Sequence, residues 1–114
     1  MKIDFACKKI SLEELFLCSF SINRKEYEIL LLLMKNNGMP IKEITKKTGK
    51  DRSTIQKIIG NLVKKGLCMR HQINLKKGGY RYIYFVKDKD ELKKRIKELM
   101  RNWCRSAEMV IDSW

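Results

Sequence analysis

The stretch KDRSTIQKIIGNLVKK, residues 50–65, constrains this chain more than any other. Its periodicity predicts a helix, because Ile55, Ile58, Ile59, Leu62 and Val63 recur at spacings of three and four and gather on one side. Ser53, Lys57, Gly60 and Lys64 point the other way, with Gln56 and Asn61 beside them. Such a helix has to bury its apolar side and leaves hydroxyl, amide and ammonium groups outside. That outer side has the chemistry required of a helix laid into a DNA major groove.

The flanking sequence supplies the elements such a helix needs. Asn23 with Glu26 forms a capping box, Ile22 can staple onto Tyr27, and a helix is expected to about Lys35. Tyr27, Leu30, Leu31 and Met34 form its main apolar side, widened by Ile29, Leu32 and Leu33 almost to the full circumference, as in a central core helix. Asn36-Asn37-Gly38 ends it, and Met39-Pro40-Ile41 has room only for a connector or a very short strand. Residues 42–48 give two helical turns with Ile44 and Thr48 inward and Lys42, Lys46 and Lys47 outward. Gly49 breaks that helix, and Asp51 caps the next. Two short helices joined by a glycine-containing turn make a helix-turn-helix.

After Gly66 the period changes from 3.6 to 2. Residues 67–75 and 80–86 alternate as two strands around Lys76-Lys77-Gly78-Gly79, a hairpin loop in which the glycines supply positive φ. One face of so short a ribbon has to lie against the helices. In the second strand both alternating sets are apolar or aromatic, so the inward set stays open. Upstream, Ser11 with Glu14 forms another cap before a short helix burying Leu12, Leu15, Phe16 and Phe20. Residues 1–10 fit a strand, an arm or a helix lead-in.

From Asp90 the helical period returns, and Leu92, Ile96, Leu99, Trp103, Val110 and Trp114, with Ala107 or Ser106 filling the gap, form a seam about three heptads long. A one-sided helix of this length is expected to pair two copies of the chain; the alternative folds it back beside residues 11–20. The expected fold is mainly α with a small β-hairpin, a winged helix-turn-helix. Its division places the N-terminal helix and winged domain in 1–89 and the dimerisation helix in 90–114, within one compact unit.

Charge sharpens the functional expectation. Of the net charge of +13, residues 42–81 carry 12 Lys or Arg against two acids. A basic sector this concentrated points to a polyanion. Arg52, Ser53, Gln56, Lys57 and Asn61 are candidates to reach base edges, and Lys42, Lys46, Lys47 and Lys64 to contact phosphates. The N-terminus of helix 50–65 also directs N–H groups toward a phosphate. At the wing, Lys76, Lys77 and Arg81 can follow the backbone or enter the minor groove, with Gly78 and Gly79 permitting close approach.

No Gly-rich phosphate loop, HExxH pattern or carboxylate pair points to catalysis, and no cofactor is expected. Cys7, Cys18, Cys68 and Cys104 form no CxxC pair and imply no metal site, although a redox role stays open. The sequence has no apolar run long enough to span a membrane and no hydrophobic signal core, so a cytoplasmic location is expected.

The run KEYEILLLLMKNNGMPIKEITKKTGKDRSTIQKIIGNLVKKGL and the later GGYRYIYF resemble the small archaeal winged-helix regulators of the TrmB type, and more distantly those of the MarR type. The shared features are an acid before the leucine-rich helix, the short helix around Glu43-Ile44, the Arg52-Ser53-Thr54 opening, and the exit at Lys65-Gly66. The resemblance spans roughly residues 22–114 and implies a homodimeric transcriptional regulator that binds double-stranded DNA. Longer members carry a sugar-sensing domain; this sequence stops at Trp114, which leaves the effector unassigned and shifts dimerisation onto the terminal helix. Two other functions fit the same fold, a protein-interaction subunit of a transcription-related complex and an architectural DNA or RNA binder.

Overall fold

A computed structural model describes residues 2–6, 8–86 and 88–114, with Phe5 described by its backbone alone. In chain order it contains β1 (Lys2–Phe5), β2 (Lys8–Ser11), α1 (Leu12–Phe20), α2 (Arg24–Lys35), α3 (Ile41–Thr48), α4 (Arg52–Lys64), β3 (Met69–Asn74), β4 (Tyr80–Phe85) and α5 (Lys89–Asp112). These form two compact units, Ile22–Lys87 and Met1–Ser21 with Asp88–Trp114. The grouping differs from the expected 1–89 and 90–114, because the N-terminal segment groups with the last helix.

In the unit Ile22–Lys87, α4 packs on both α2 and α3, and β4 packs on the same two helices. Ile29, Leu30 and Leu33 of α2, Ile44 of α3, and Ile55, Ile59 and Leu62 of α4 are all but excluded from solvent. Each such side chain contributes about 1.5–3 kcal/mol of transfer free energy. Asn23 and Glu26 form the expected capping box, with Glu26 N–H donating to Asn23 Oδ1 at 2.9 Å and Asn23 N–H to Glu26 Oε1 at 3.1 Å. The inward face of α2 is not centred where the sequence placed it. Leu31 is 42% exposed, whereas Ile29 and Leu33 are buried. Within a nearly continuous apolar run only the position of α4 decides the phase of the helix.

Glu26 is buried and does more than cap. Its second oxygen accepts a hydrogen bond from the Asn61 amide, which ties the start of α2 to the last turns of α4. A carboxylate removed from water needs such donors, since an unpaired buried charge is strongly destabilising.

The strands β3 and β4 pair antiparallel from Met69↔Phe85 to Asn74↔Tyr80. The connector residue Met39 adds an isolated bridge to Tyr84, donating its N–H to Tyr84 O and accepting from Tyr84 N–H, both at 2.9 Å. That bridge holds the ribbon to the helices at Tyr84, the one buried residue of β4; Tyr82, Ile83 and Phe85 are half-buried, and Tyr80 and every residue of β3 are exposed. Gly38 makes the approach possible. It has φ +100°, and a Cβ there would lie 2.9 Å from Ile83 Cγ2.

The other unit begins with the hairpin β1–β2, registered from Lys2↔Ser11 to Phe5↔Lys8. Ser11 caps α1 by accepting from Glu14 N–H at 3.1 Å, as its spacing predicts. Phe16 and Phe20 are buried with ring centroids 4.9 Å apart, and the Arg95 guanidinium lies 5.1 Å from the Phe20 centroid. Leu15 is only half-buried and Leu12 is 39% exposed, so α1 buries a narrower face than expected. The first turns of α5 pack on α1 and bury Leu92 and Ile96. Beyond them the seam is bare: Leu99, Trp103, Val110 and Trp114 are all exposed, as are Met100, Met109 and Ile111. Among the described residues no helix is long and apolar enough to cross a membrane.

Gly38→Ala combines a positive φ with steric contact at the strand. It is expected to lower unfolding stability by about 1–3 kcal/mol, measured by urea denaturation followed by circular dichroism.

Candidate nucleic-acid interface

The start of α4 is organised by Asp51. Its carboxylate accepts from the Ser53 hydroxyl, from Thr54 Oγ1 at 2.5 Å and from Thr54 N–H at 3.4 Å. The two hydroxyl donors hold the Asp51 carboxyl at about 2, below the ordinary 3.8. One N–H of the first turn, expected to face a phosphate, is therefore already taken by an ionised acid whose charge opposes a phosphate at that point.

The outer side of α4 carries the polar fork foreseen from sequence, with one substitution of role. Arg52, Gln56 and Lys57 are exposed and have no hydrogen-bond partner among the described residues. Ser53 is exposed too, with its hydroxyl turned back to Asp51. Asn61 does not share this side. It is half-buried and its amide is engaged by Glu26, so it braces the helix from within. Gly60 is exposed, and a Cβ built there meets nothing within 4 Å.

Beside the N-terminal end of α4 lies an open depression of about 890 Å³. One side comes from Pro40 through Lys47 and the other from β4, with Arg52 between them. It brings together Lys42, Lys46, Lys47, Arg52 and Arg81, opposed only by Glu43. Lys47 Nζ is 3.4 Å from Asn36 Oδ1, which holds it near the exit of α2. Lys64, Lys76 and Lys77 are exposed on the same unit but do not line the depression. At the tip of the ribbon, Gly78 and Gly79 have φ +89° and +81°, and Gly78 N–H donates to Leu75 O at 3.1 Å.

The sequence pattern of β4 did not show which way its tyrosines face. Tyr80, Tyr82 and Tyr84 in fact line the depression. The Tyr80 and Tyr82 rings meet edge to face at 5.5 Å, and the Arg70 guanidinium lies 4.5 Å from the Tyr82 centroid. Their alternation was visible, but which set faced the helices depended on the Met39 bridge.

Among the described residues no group of three or more His, Cys, Asp or Glu side chains is placed to hold a metal ion. Cys7 lies outside the described residues. Cys18 and Cys104 are exposed, whereas Cys68 is buried and desolvation pushes its thiol up to about 12. That thiol stays protonated and unreactive.

The model of the family described as sugar-specific transcriptional regulator TrmB matches residues 17–90, which spans α2, α3, α4 and the wing. The chain belongs to this family. Two uncharacterised proteins of Methanocaldococcus jannaschii are similar to it. One is 33% identical over 106 residues, covering 93% of this chain and 80% of its own, and the other 31% identical over 100 residues, covering 88% and 82%. Among solved structures, a possible transcriptional regulator from Methanosarcina mazei superposes with a TM-score of 0.88 at 25% identity, covering 100% of this chain and 97% of that one. A protein from Sulfolobus tokodaii shares the fold, with a TM-score of 0.70 at 13% identity over 83% of this chain and 93% of its own. The TrmB-family chain is thus a winged helix-turn-helix of the transcription-regulator class.

Two expectations follow from α4. The Asp51 carboxylate is more acidic in the folded chain than unfolded, so its contribution is complete above 3.8 and disappears as pH falls toward about 2. Melting temperatures measured from pH 5 to pH 2 should therefore converge for the wild type and Asp51→Asn, which keeps a capping side chain without the charge. Gly60→Ala fills open space on a helical backbone and should raise stability by about 0.5–1 kcal/mol in urea denaturation.

Proposed function

We propose that this TrmB-family chain is a cytoplasmic, non-enzymatic regulator that binds double-stranded DNA sequence-specifically as a homodimer. The observation that carries the proposal is the free polar side of α4, Arg52, Gln56 and Lys57, standing next to a depression ringed by Lys42, Lys46, Lys47 and Arg81. In this reading α4 enters the major groove. Gln56 forms a paired contact with adenine, and Lys57 or Arg52 donates to guanine. Ser53 offers its oxygen as an acceptor, because its proton is held by Asp51. Lys42, Lys46, Lys47 and Lys64 neutralise phosphates and fix position without reading sequence. Lys76, Lys77 and Arg81 extend the contact from the wing, where Gly78 and Gly79 keep the tip narrow.

The exposed distal half of α5 supports the homodimer, since a row of large apolar side chains left in water favours burial against a partner. A two-fold dimer places its two recognition helices on successive major grooves about 34 Å apart, so the target is an imperfect palindrome. The family match and the Methanosarcina mazei regulator, similar over the whole chain, support the regulatory role. No small-molecule effector is assigned.

Selection of sites from random duplex, followed by competition between the selected site and random DNA near physiological salt, tests the proposal. A ratio near unity would favour an architectural role, and no binding at low salt would leave the interface reading without support. Gln56→Ala should lose about 1–3 kcal/mol on the selected site at one base pair and little on random DNA. Lys46→Ala with Lys47→Ala should weaken both and flatten the salt dependence, each by less than one contact's slope.

A further inference from the structure

The bare half of α5 has an internal order that the homodimer proposal does not use. The helical period places Ile96, Met100, Trp103, Ala107, Val110 and Trp114 on one stripe at steps of four, three, four, three and four. This stripe takes Met100 where the seam read from sequence takes Leu99, and Ala107 where that seam leaves Ala107 or Ser106. Ile96, at its start, is buried within its own unit, whereas Met100, Trp103, Val110 and Trp114 are 41%, 62%, 70% and 105% exposed. The unfilled stretch therefore begins near Met100 and has a small residue, Ala107, at its middle.

The sizes along this stretch are complementary to their own reverse. We infer that two copies of α5 pair antiparallel, with the two-fold axis beside Ala107; the inference rests on the homodimer reading above. In this arrangement Trp103 packs against the partner's Val110 and Ile111, and Met100 packs against the partner's Trp114. The helices come closest where Ala107 meets its copy. A parallel pair does not fit as well. It stacks Trp103 on Trp103, forcing the axes apart, and one turn later sets Ala107 opposite Ala107, where close axes are needed to fill the gap. Two indoles and two methyl groups cannot share one interhelical distance. A surface that matches its own reverse is what a two-fold axis perpendicular to the helix requires, and an unrelated partner has no reason to match it.

Charge leans the same way. On the opposite side of the helix the stretch carries Arg101 and Arg105 first, then Glu108 and Asp112. Antiparallel pairing sets basic ends level with acidic ends, and parallel pairing sets like with like. These groups are separated by the width of the pair and screened by salt, so packing remains the main determinant.

Pulsed electron-electron resonance on the full chain distinguishes the two arrangements. Lys94 and Arg105 are exposed and lie on the outer side of α5, so spin labels at these positions leave the stripe intact. Single-label variants Lys94→Cys and Arg105→Cys are made with Cys7, Cys18 and Cys104 replaced by Ser and buried Cys68 retained. Light scattering first gives the mass. The antiparallel pair predicts labels at 94 separated by about 39 Å along the axis and labels at 105 by about 6 Å, before the common width of the pair is added. A dimer with the 94 distance clearly longer than the 105 distance supports the inference. A dimer with equal distances at both positions overturns it and leaves the homodimer reading standing. A monomer overturns both.

Discussion

The unit Ile22–Lys87 depends on where the apolar side of α4 is buried. Ile55, Ile59 and Leu62 are excluded from water against α2 and α3, which fixes the rotation of α4 about its axis. Turning the helix by one residue would move its buried set by about 100° and bring charged groups inward. The Glu26–Asn61 hydrogen bond adds a polar lock to this apolar fit. Burial and lock together decide that Arg52, Gln56 and Lys57 face outward. The candidate interface is thus the remainder left by core formation, held on a rigid helix.

The electrostatics of that interface are less uniform than the charge of the sector suggests. Five cations line the depression next to α4, opposed there by Glu43, while Asp51 caps the N-terminus of the same helix. Asp51 fixes the first turn and orients two hydroxyl protons toward itself. Of these cations α3 supplies Lys42, Lys46 and Lys47, α4 Arg52 and β4 Arg81, with α3 suited to contacts along a backbone. The helix itself keeps a mixture of donors and acceptors suited to base edges. A uniformly basic helix would bind any duplex; this mixture favours discrimination.

Helix caps and turns were legible in the sequence because they are local. Ser11 with Glu14, Asn23 with Glu26, Asp51, Gly49 and the Gly78-Gly79 loop each act within a few residues, and the structure places them as their spacing predicts. The phase of α2, the inward face of β4 and the inner role of Asn61 were not legible. Each is decided by a partner far along the chain: α4 for Leu31, Met39 for Tyr84, and Glu26, 35 positions away, for Asn61. Asn61 is the instructive case, because an amide on a basic helix has the same appearance in sequence whether it reads a base or satisfies a buried acid. Only the position of Glu26 distinguishes the two, and an acid in a capping box gives no sign of a second partner.

The last helix carries one periodic pattern through two environments. The folded-back reading of its seam is seen over the first turns only. Leu92 and Ile96 fold back onto α1 beside Phe16 and Phe20, as a helix completing its own unit does. From Leu99 onward the same period continues with nothing of its own unit left to cover it. Sequence periodicity reports that a face is to be buried and is silent about against what. Here the length of α1 sets the boundary, since a nine-residue helix spans about 14 Å and α5, with 24 residues, about 36 Å. The excess length is surface that α1 leaves uncovered, and it is this surface that the proposed pairing of two copies would bury.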